Sequence, residues 1–157
     1  MNIVVLGSGN GGCAVAFDCS AKGHQVSLFD FEQFPESIKA VQNSGGIHCE
    51  GILEGFQPVT YAGHEIEKAL DGADIIYAVG PAYSTRPFAE ACKPYLKQGQ
   101  IVIVCPGSCG GSVEFKNGAG LDLRDANIVV AETSTLPYAV RLLEPGKICL
   151  LYTSPSP

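Results

Sequence analysis

VVLGSGNGG, residues 4–12, runs an apolar stretch straight into a loop with four glycines in six positions. Two readings are open: a turn built to hold a phosphate, or a flexible bend between a strand and a helix. The spacing Gly7-x-Gly9-x-x-Gly12 fits the first. In a dinucleotide turn the first glycine permits the tight bend and the second lets a pyrophosphate approach the backbone. The third lets helix and strand pack closely. The helix that follows, read over 11–22, would then point its N-terminus at the phosphates. By the same pattern Ser8, Asn10 and Gly11 belong to the phosphate-facing loop.

The acid needed for a ribose stands in the expected place. Asp30 ends the second apolar stretch, 18 positions after Gly12, near the ~20-residue spacing of a ribose-binding carboxylate. The alternative is an acid that merely ends a strand, with Glu32 a solvated neighbour. Asp30 favours NAD over NADP, because a carboxylate repels a 2′-phosphate. No arginine or lysine lies between Asp30 and Lys39 to receive one.

Beyond the opening turn the pattern alternates. Strands are expected at 2–6, 25–30, 74–79, 100–105 and 127–131, and helices at 11–22, 35–43, 64–70 and 85–95. A single helical turn is expected at 113–116. The segment 47–61 reads as short extended pieces, such as a hairpin. Strands separated by helices at this rhythm predict an α/β fold with a doubly wound, mostly parallel sheet of the Rossmann type. In such sheets ligands bind beyond the carboxyl ends of the strands, which draws in Val79, Gly80, Pro81 and Ala82. A simple turn leading into a helix explains those four residues equally well.

Composition removes several classes of function. The 157 residues carry a net charge of −6 with no basic cluster, which argues against nucleic acid as a partner. Apolar runs are strand-sized, far below the ~20 residues of a membrane helix, and no signal-peptide pattern precedes them. Seven cysteines form no C-x-x-C pair, so buried thiols in a cytoplasmic protein are expected, with no metal site and no disulfide framework. His24, His48 and His64 read as surface or turn residues rather than general bases. Arg86 can be read as a carboxylate clamp or as part of a solvated helix face. Cys109 in the 106–111 glycine turn has no base beside it, so no catalytic residue is assigned.

One segment is more discriminating. ETSTLPYAVR, residues 132–141, resembles the motif closing the nucleotide domain in the octopine/nopaline (opine) dehydrogenase family. LGSGNGGCAVAFDCSAKGHQV (6–26), VGPAYSTRPFAEACKPYLKQGQ (79–100) and VCPGSCGGSVEF (104–115) agree with it. The resemblance implies an oxidoreductase that joins an amino acid's amine to a 2-oxo acid as an imine and reduces it with hydride from NADH or NADPH. It implies that Gly7, Gly9 and Gly12 face the pyrophosphate and Asp30 the ribose. Pro81, Ala82 and the stretch holding Glu132, Thr135 and Leu136 would lie toward the nicotinamide and the substrate.

In that family a helical C-terminal domain supplies the catalytic histidine–aspartate pair and much of the substrate pocket. Its absence here makes the chain a fragment expected to be inactive alone, with that domain its natural partner. One departure is that Tyr83, Ser84, Thr85 and Arg86 stand where the family leads one to expect a histidine. The NAD-binding domain is expected over 1–147, and 148–157 reads as a non-native tail or as a last strand with a proline-rich linker. Rival readings are a ketopantoate-reductase-like or 6-phosphogluconate-dehydrogenase-like enzyme, or a nucleotide-sensing Rossmann module without catalysis.

Overall fold

The computed structural model describes residues 1–107 and 109–153. Ser108, in the 106–111 turn, and residues 154–157 of the expected tail lie outside them. In chain order the elements begin with β1 (Asn2–Leu6), α1 (Asn10–Ala21), β2 (Gln25–Phe29), α2 (Pro35–Ser44), β3 (Gly46–Gly51), β4 (Gly55–Pro58), β5 (Tyr61–Gly63) and α3 (Ile66–Leu70). They continue with β6 (Ile75–Val79), α4 (Thr85–Cys92), β7 (Ile101–Cys105), α5 (Gly111–Ala119), β8 (Val129–Glu132), β9 (Tyr138–Glu144) and β10 (Lys147–Thr153). Six strands make one parallel sheet in the order β5-β2-β1-β6-β7-β8. Its order reverses between β2-β1 and β6, the switch point at which a ligand crevice opens.

The strand sequences explain why both sheet faces are covered. β1 is apolar at every position after Asn2, so its alternating side chains feed two cores rather than one core and solvent. Ile3 and Val5 join α1, α2 and the inner residues Ile47, Val140, Ile148 and Leu150. Val4 and Leu6 join Ile76, Val102 and the buried residues Phe88, Ala89 and Phe115 of α4 and α5. α1 is the most enclosed helix, buried from Gly11 to Phe17. Its small residues Gly11, Gly12, Ala14 and Ala16 let layers close on it from both sides.

A second sheet closes the outer side of α1, in the order β4-β3-β10-β9. Its β3–β4 hairpin corresponds to the extended pieces expected in the segment 47–61, and β10 to the alternative of a last strand after residue 147. β9 and β10 pair antiparallel around Pro145-Gly146, with Gly146 at φ 78°, the left-handed value that glycine supplies after proline in a type II turn. β10 also pairs parallel with β3. Hydrogen bonds fasten this sheet to α1: the Tyr138 hydroxyl donates to Asp18 Oδ2 at 2.7 Å, and the Leu142 N–H to Asn10 Oδ1 at 2.6 Å. Residues 148–153 thus lie in a strand, with Ile148 and Leu150 buried.

Two further boundaries differ from expectation. α5 runs nine residues, Gly111–Ala119, rather than one turn, because Phe115 and Ala119 anchor it in the core while Gly118 lets it press on Ala89 of α4. α4 ends at Cys92 rather than at 95, since Pro94 cannot continue the ladder. The cysteines 13, 19, 49, 92 and 105 are buried and unpaired, and Cys109 is exposed. Burial pushes the Cys92 thiol up to about 12, which keeps it inert. Replacing the enclosed Ile148 with alanine is expected to cost about 2–5 kcal/mol, measured as a shifted denaturant midpoint. An unchanged midpoint would show that β10 adds nothing to the core.

Candidate nucleotide-binding cleft

The turn after β1 is shaped by close approaches that only glycine permits. Gly7 sits at φ 103°, and a Cβ there would overlap the carbonyl oxygen of Val79. A Cβ on Gly12 would overlap the Gly7 carbonyl oxygen, so the first turn of α1 lies directly on the loop. Gly9, the N-cap of α1, faces open space. Among the described residues no side chain caps this helix. Its first N–H groups are therefore available to an anion.

Asp30 reaches this loop from the end of β2. Its Oδ2 accepts the Ser8 N–H at 2.6 Å and the Ser8 hydroxyl at 2.8 Å, and its Oδ1 accepts the Phe31 N–H at 2.9 Å. Behind the loop the Cys13 thiol donates to the Ser8 carbonyl at 3.2 Å. Burial first, and then the Asp30 charge, pushes that thiol up to about 12, so it stays protonated and able to donate. His64 Nδ1 lies 2.7 Å from the Asp30 carbonyl oxygen. As the partner is an acceptor, this nitrogen carries the proton. A histidine read as a turn residue is thus a fastener of the acid's own peptide.

The loop and Asp30 line a cavity of about 580 Å³ at the carboxyl ends of β1, β6 and β7, a volume typical of small-molecule and cofactor sites. Of the residues expected from sequence, Gly7 to Gly12, Asp30, Val79, Gly80, Pro81 and Leu136 all face it. Ala82 begins the 3-10 turn Ala82–Ser84 outside the lining. That turn is held by the Ser84 hydroxyl donating to the Pro81 carbonyl at 2.7 Å. Phe34, Ser37, Tyr83 and Phe88 also line the cavity, and the sequence reading missed them. Their signal was positional: they follow β2 and β6 at the switch point. Phe88 stacks on Phe31 with centroids 5.4 Å apart and planes 7° from parallel, which makes that wall rigid.

The stretch 132–136 divides. Leu136 folds over α1 and contacts the space beside Gly11 that a side chain would fill. Glu132 instead turns to α5, where its Oε2 accepts the Ser112 N–H at 2.6 Å. That backbone bond, with the Ser112 side chain, holds its carboxyl below the ordinary value of 4.5. Thr135 is exposed and away from the cavity lining. Arg86 pairs with Glu114 at 2.6 Å on the outer surface of α4 and α5. Among the described residues no group of three or more metal-ligating side chains gathers, and no helix is long and apolar enough to cross a membrane.

The cavity lining includes two acids, Asp30 and Glu36, and no lysine or arginine. To an anion this lining offers backbone N–H groups, the positive end of α1 and neutral side-chain donors such as Asn10 and Ser37. The open face of Gly9, an uncapped helix start and an acid beside the loop at the end of β2 together fit a dinucleotide. A parallel sheet carrying this cleft at its switch point defines a dinucleotide-binding domain of the Rossmann type.

Residues 2–109 match the family described as NAD-dependent glycerol-3-phosphate dehydrogenase N-terminus, and the chain belongs to this family of NAD-binding domains. It is similar to opine dehydrogenase of Arthrobacter sp. (strain 1C), at 33% identity over 150 residues, covering 92% of this chain and 40% of that enzyme. Glycerol-3-phosphate dehydrogenase of Mesorhizobium japonicum is 33% identical over 104 residues, covering 66% of this chain and 29% of that one. Among solved structures, octopine dehydrogenase with NADH and pyruvate superposes with a TM-score of 0.86 at 20% identity, over 98% of this chain and 41% of that chain. A ketopantoate reductase from Ralstonia eutropha gives 0.70 at 20% identity, over 96% and 46%. These two show the shared fold. The chain spans about two fifths of the length of the Arthrobacter enzyme, and the likeness to opine dehydrogenases read from the motifs holds along nearly all of it.

Glu132 provides a test of the α5 cap. Its carboxyl is held below 4.5 in the folded chain, so its stabilising contribution is present above that value and is lost as pH falls through the lowered one. Glu132→Ala is expected to be less stable at neutral pH and to lose less stability than the parent between about pH 5 and pH 3. Parallel acid profiles in thermal melts would rule out this role.

Proposed function

We propose that the chain forms the NADH-holding half of an enzyme that reduces the imine formed between an amino acid and a 2-oxo acid. The observation that carries this reading is the reach of the opine dehydrogenase likeness. A match over 150 residues extends well past residue 109, where the glycerol-3-phosphate dehydrogenase family match ends. ETSTLPYAVR lies in that additional part, and its Leu136 forms part of the cleft wall.

The chain's own residues divide the work. Gly7, Gly9 and Gly12 bring backbone N–H groups of the turn and of α1 to the pyrophosphate. Asp30 accepts from the ribose diol, and Val79, Gly80, Pro81 and Ala82 carry the chain past the nicotinamide without bulky side chains. Leu136 excludes water from that end. When bound, the reduced nicotinamide supplies hydride. The proton-transferring groups and most of the substrate contacts belong to the part of the relatives' length that this chain does not span.

NADH is expected to bind at least tenfold tighter than NADPH in a fluorescence titration, and Asp30→Ala to reduce that ratio by roughly tenfold. An unchanged ratio in the variant would move the selectivity to another residue. Turnover tests the rest. The chain alone is expected to bind NADH without oxidising it in the presence of pyruvate and an amino acid. Grafted in place of the matching part of the Arthrobacter enzyme, it is expected to support NADH oxidation only when amine and 2-oxo acid are both present. Oxidation by the graft with dihydroxyacetone phosphate alone would favour the glycerol-3-phosphate reading instead.

A further inference from the structure

Ser8 occupies the variable place between the first two glycines of the turn, yet it is as enclosed as the core, at 3% exposure. Both of its donors, N–H and O–H, are spent on the same atom, Oδ2 of Asp30. A carboxylate oxygen offers two lone-pair directions, so Oδ2 is filled. Oδ1 holds the Phe31 N–H and keeps one direction open. The Ser8 hydroxyl has given away its only hydrogen, so toward any further group its oxygen can only accept. Both residues reach the cavity wall.

The consequence is a paired surface with acceptors on two residues and no donor. Its geometry is locked from behind by the Cys13 thiol on the Ser8 carbonyl and by the Gly7 N–H on the Phe29 carbonyl at 2.8 Å. A vicinal diol presents two O–H donors and matches it. A 2′-phosphate removes one of those donors and adds charge beside a carboxylate, with no lysine or arginine among the lining residues to offset it.

We propose that Ser8 is a specificity-determining residue, holding the Asp30 carboxylate in one orientation so that the two together read an unsubstituted ribose diol. This rests on the assignment of the cleft to NADH. Without the Ser8 hydroxyl Asp30 would still repel a phosphate, but Oδ2 would keep only the backbone N–H of residue 8, and its vacated direction would take water in competition with the diol. Selectivity is then a property of the pair.

The test crosses protein variants with ligands: the parent chain, Ser8→Ala, Ser8→Gly and Ser8→Thr, each titrated with NADH, NADPH and 2′-deoxy-NADH. Ser8→Ala is expected to weaken NADH by about tenfold and 2′-deoxy-NADH by no more than about twofold, because the latter has already lost the diol contact. Ser8→Thr, which restores a hydroxyl, is expected to bring NADH back to within about threefold of the parent. Equal losses for all three ligands would make Ser8 a structural residue only, and no loss would make it irrelevant; either overturns the proposal. If Ser8→Ala does not fold, Ser8→Gly is read in the same way, since it also keeps the N–H and drops the hydroxyl. Failure of both to fold counts against the proposal by making the hydroxyl a requirement of the fold. Should the parent chain bind no NADH, it is the assignment of the cleft that fails, independently of Ser8.

Discussion

No side chain fits between the start of α1 and the Gly7 carbonyl, and everything around the cleft follows from that contact. It seats the helix directly on the loop, so the positive end of α1 and the N–H groups of its first turn open into the cavity. It also draws α1 down onto the sheet, where its flank from Cys13 to Phe17 is buried. A helix so enclosed needs a second layer, which the β4-β3-β10-β9 sheet provides. One close approach thus sets both the binding surface and the two-layered core.

The electrostatics of the cleft follow the same economy. With Asp30 and Glu36 in the wall and no cationic side chain among its lining residues, the site offers an anion oriented peptide groups and neutral side-chain donors. Such groups are fixed in direction and do not neutralise neighbouring acids, so a carboxylate can stand beside a phosphate-binding turn and retain its preference for hydroxyl donors. A lysine in the loop would instead have added a charge that offsets those acids.

The parts of the fold legible in the sequence were those whose pattern is local. Apolar runs such as 101–105 between glycine-rich turns can hardly be anything but covered strands, and the Gly7–Gly12 spacing with Asp30 located the cleft. Legibility failed where the decisive contact is distant. Nothing near Glu132 announces that its carboxylate will cap α5, and nothing near Arg86 shows that Glu114 will take it from the cleft. The β9–β10 hairpin did carry a local sign, Pro145-Gly146 between apolar runs. It was masked because the residues before it read as a family motif, while those after it read equally as a tail or as a last strand with a linker. His64 illustrates the same limit, since its partner is the backbone of a residue 34 positions earlier.

The ties between α1 and β9 carry a cost in time. Asn10 meets Leu142 and Asp18 meets Tyr138 across separations of 132 and 120 residues, so the first helix reaches its finished surroundings only after β9 has been made. During synthesis, at roughly 5–20 residues per second, the apolar underside of α1 and the inner residues of β3 stand exposed for several seconds. Contacts of such long range also slow folding in general, because the loop must close before any of them repays it. The newborn chain therefore passes through a stage in which the first five strands of the parallel sheet, complete by Cys105, can assemble while the outer core stands open, and in that interval its apolar surface is open to chaperones and to its own copies.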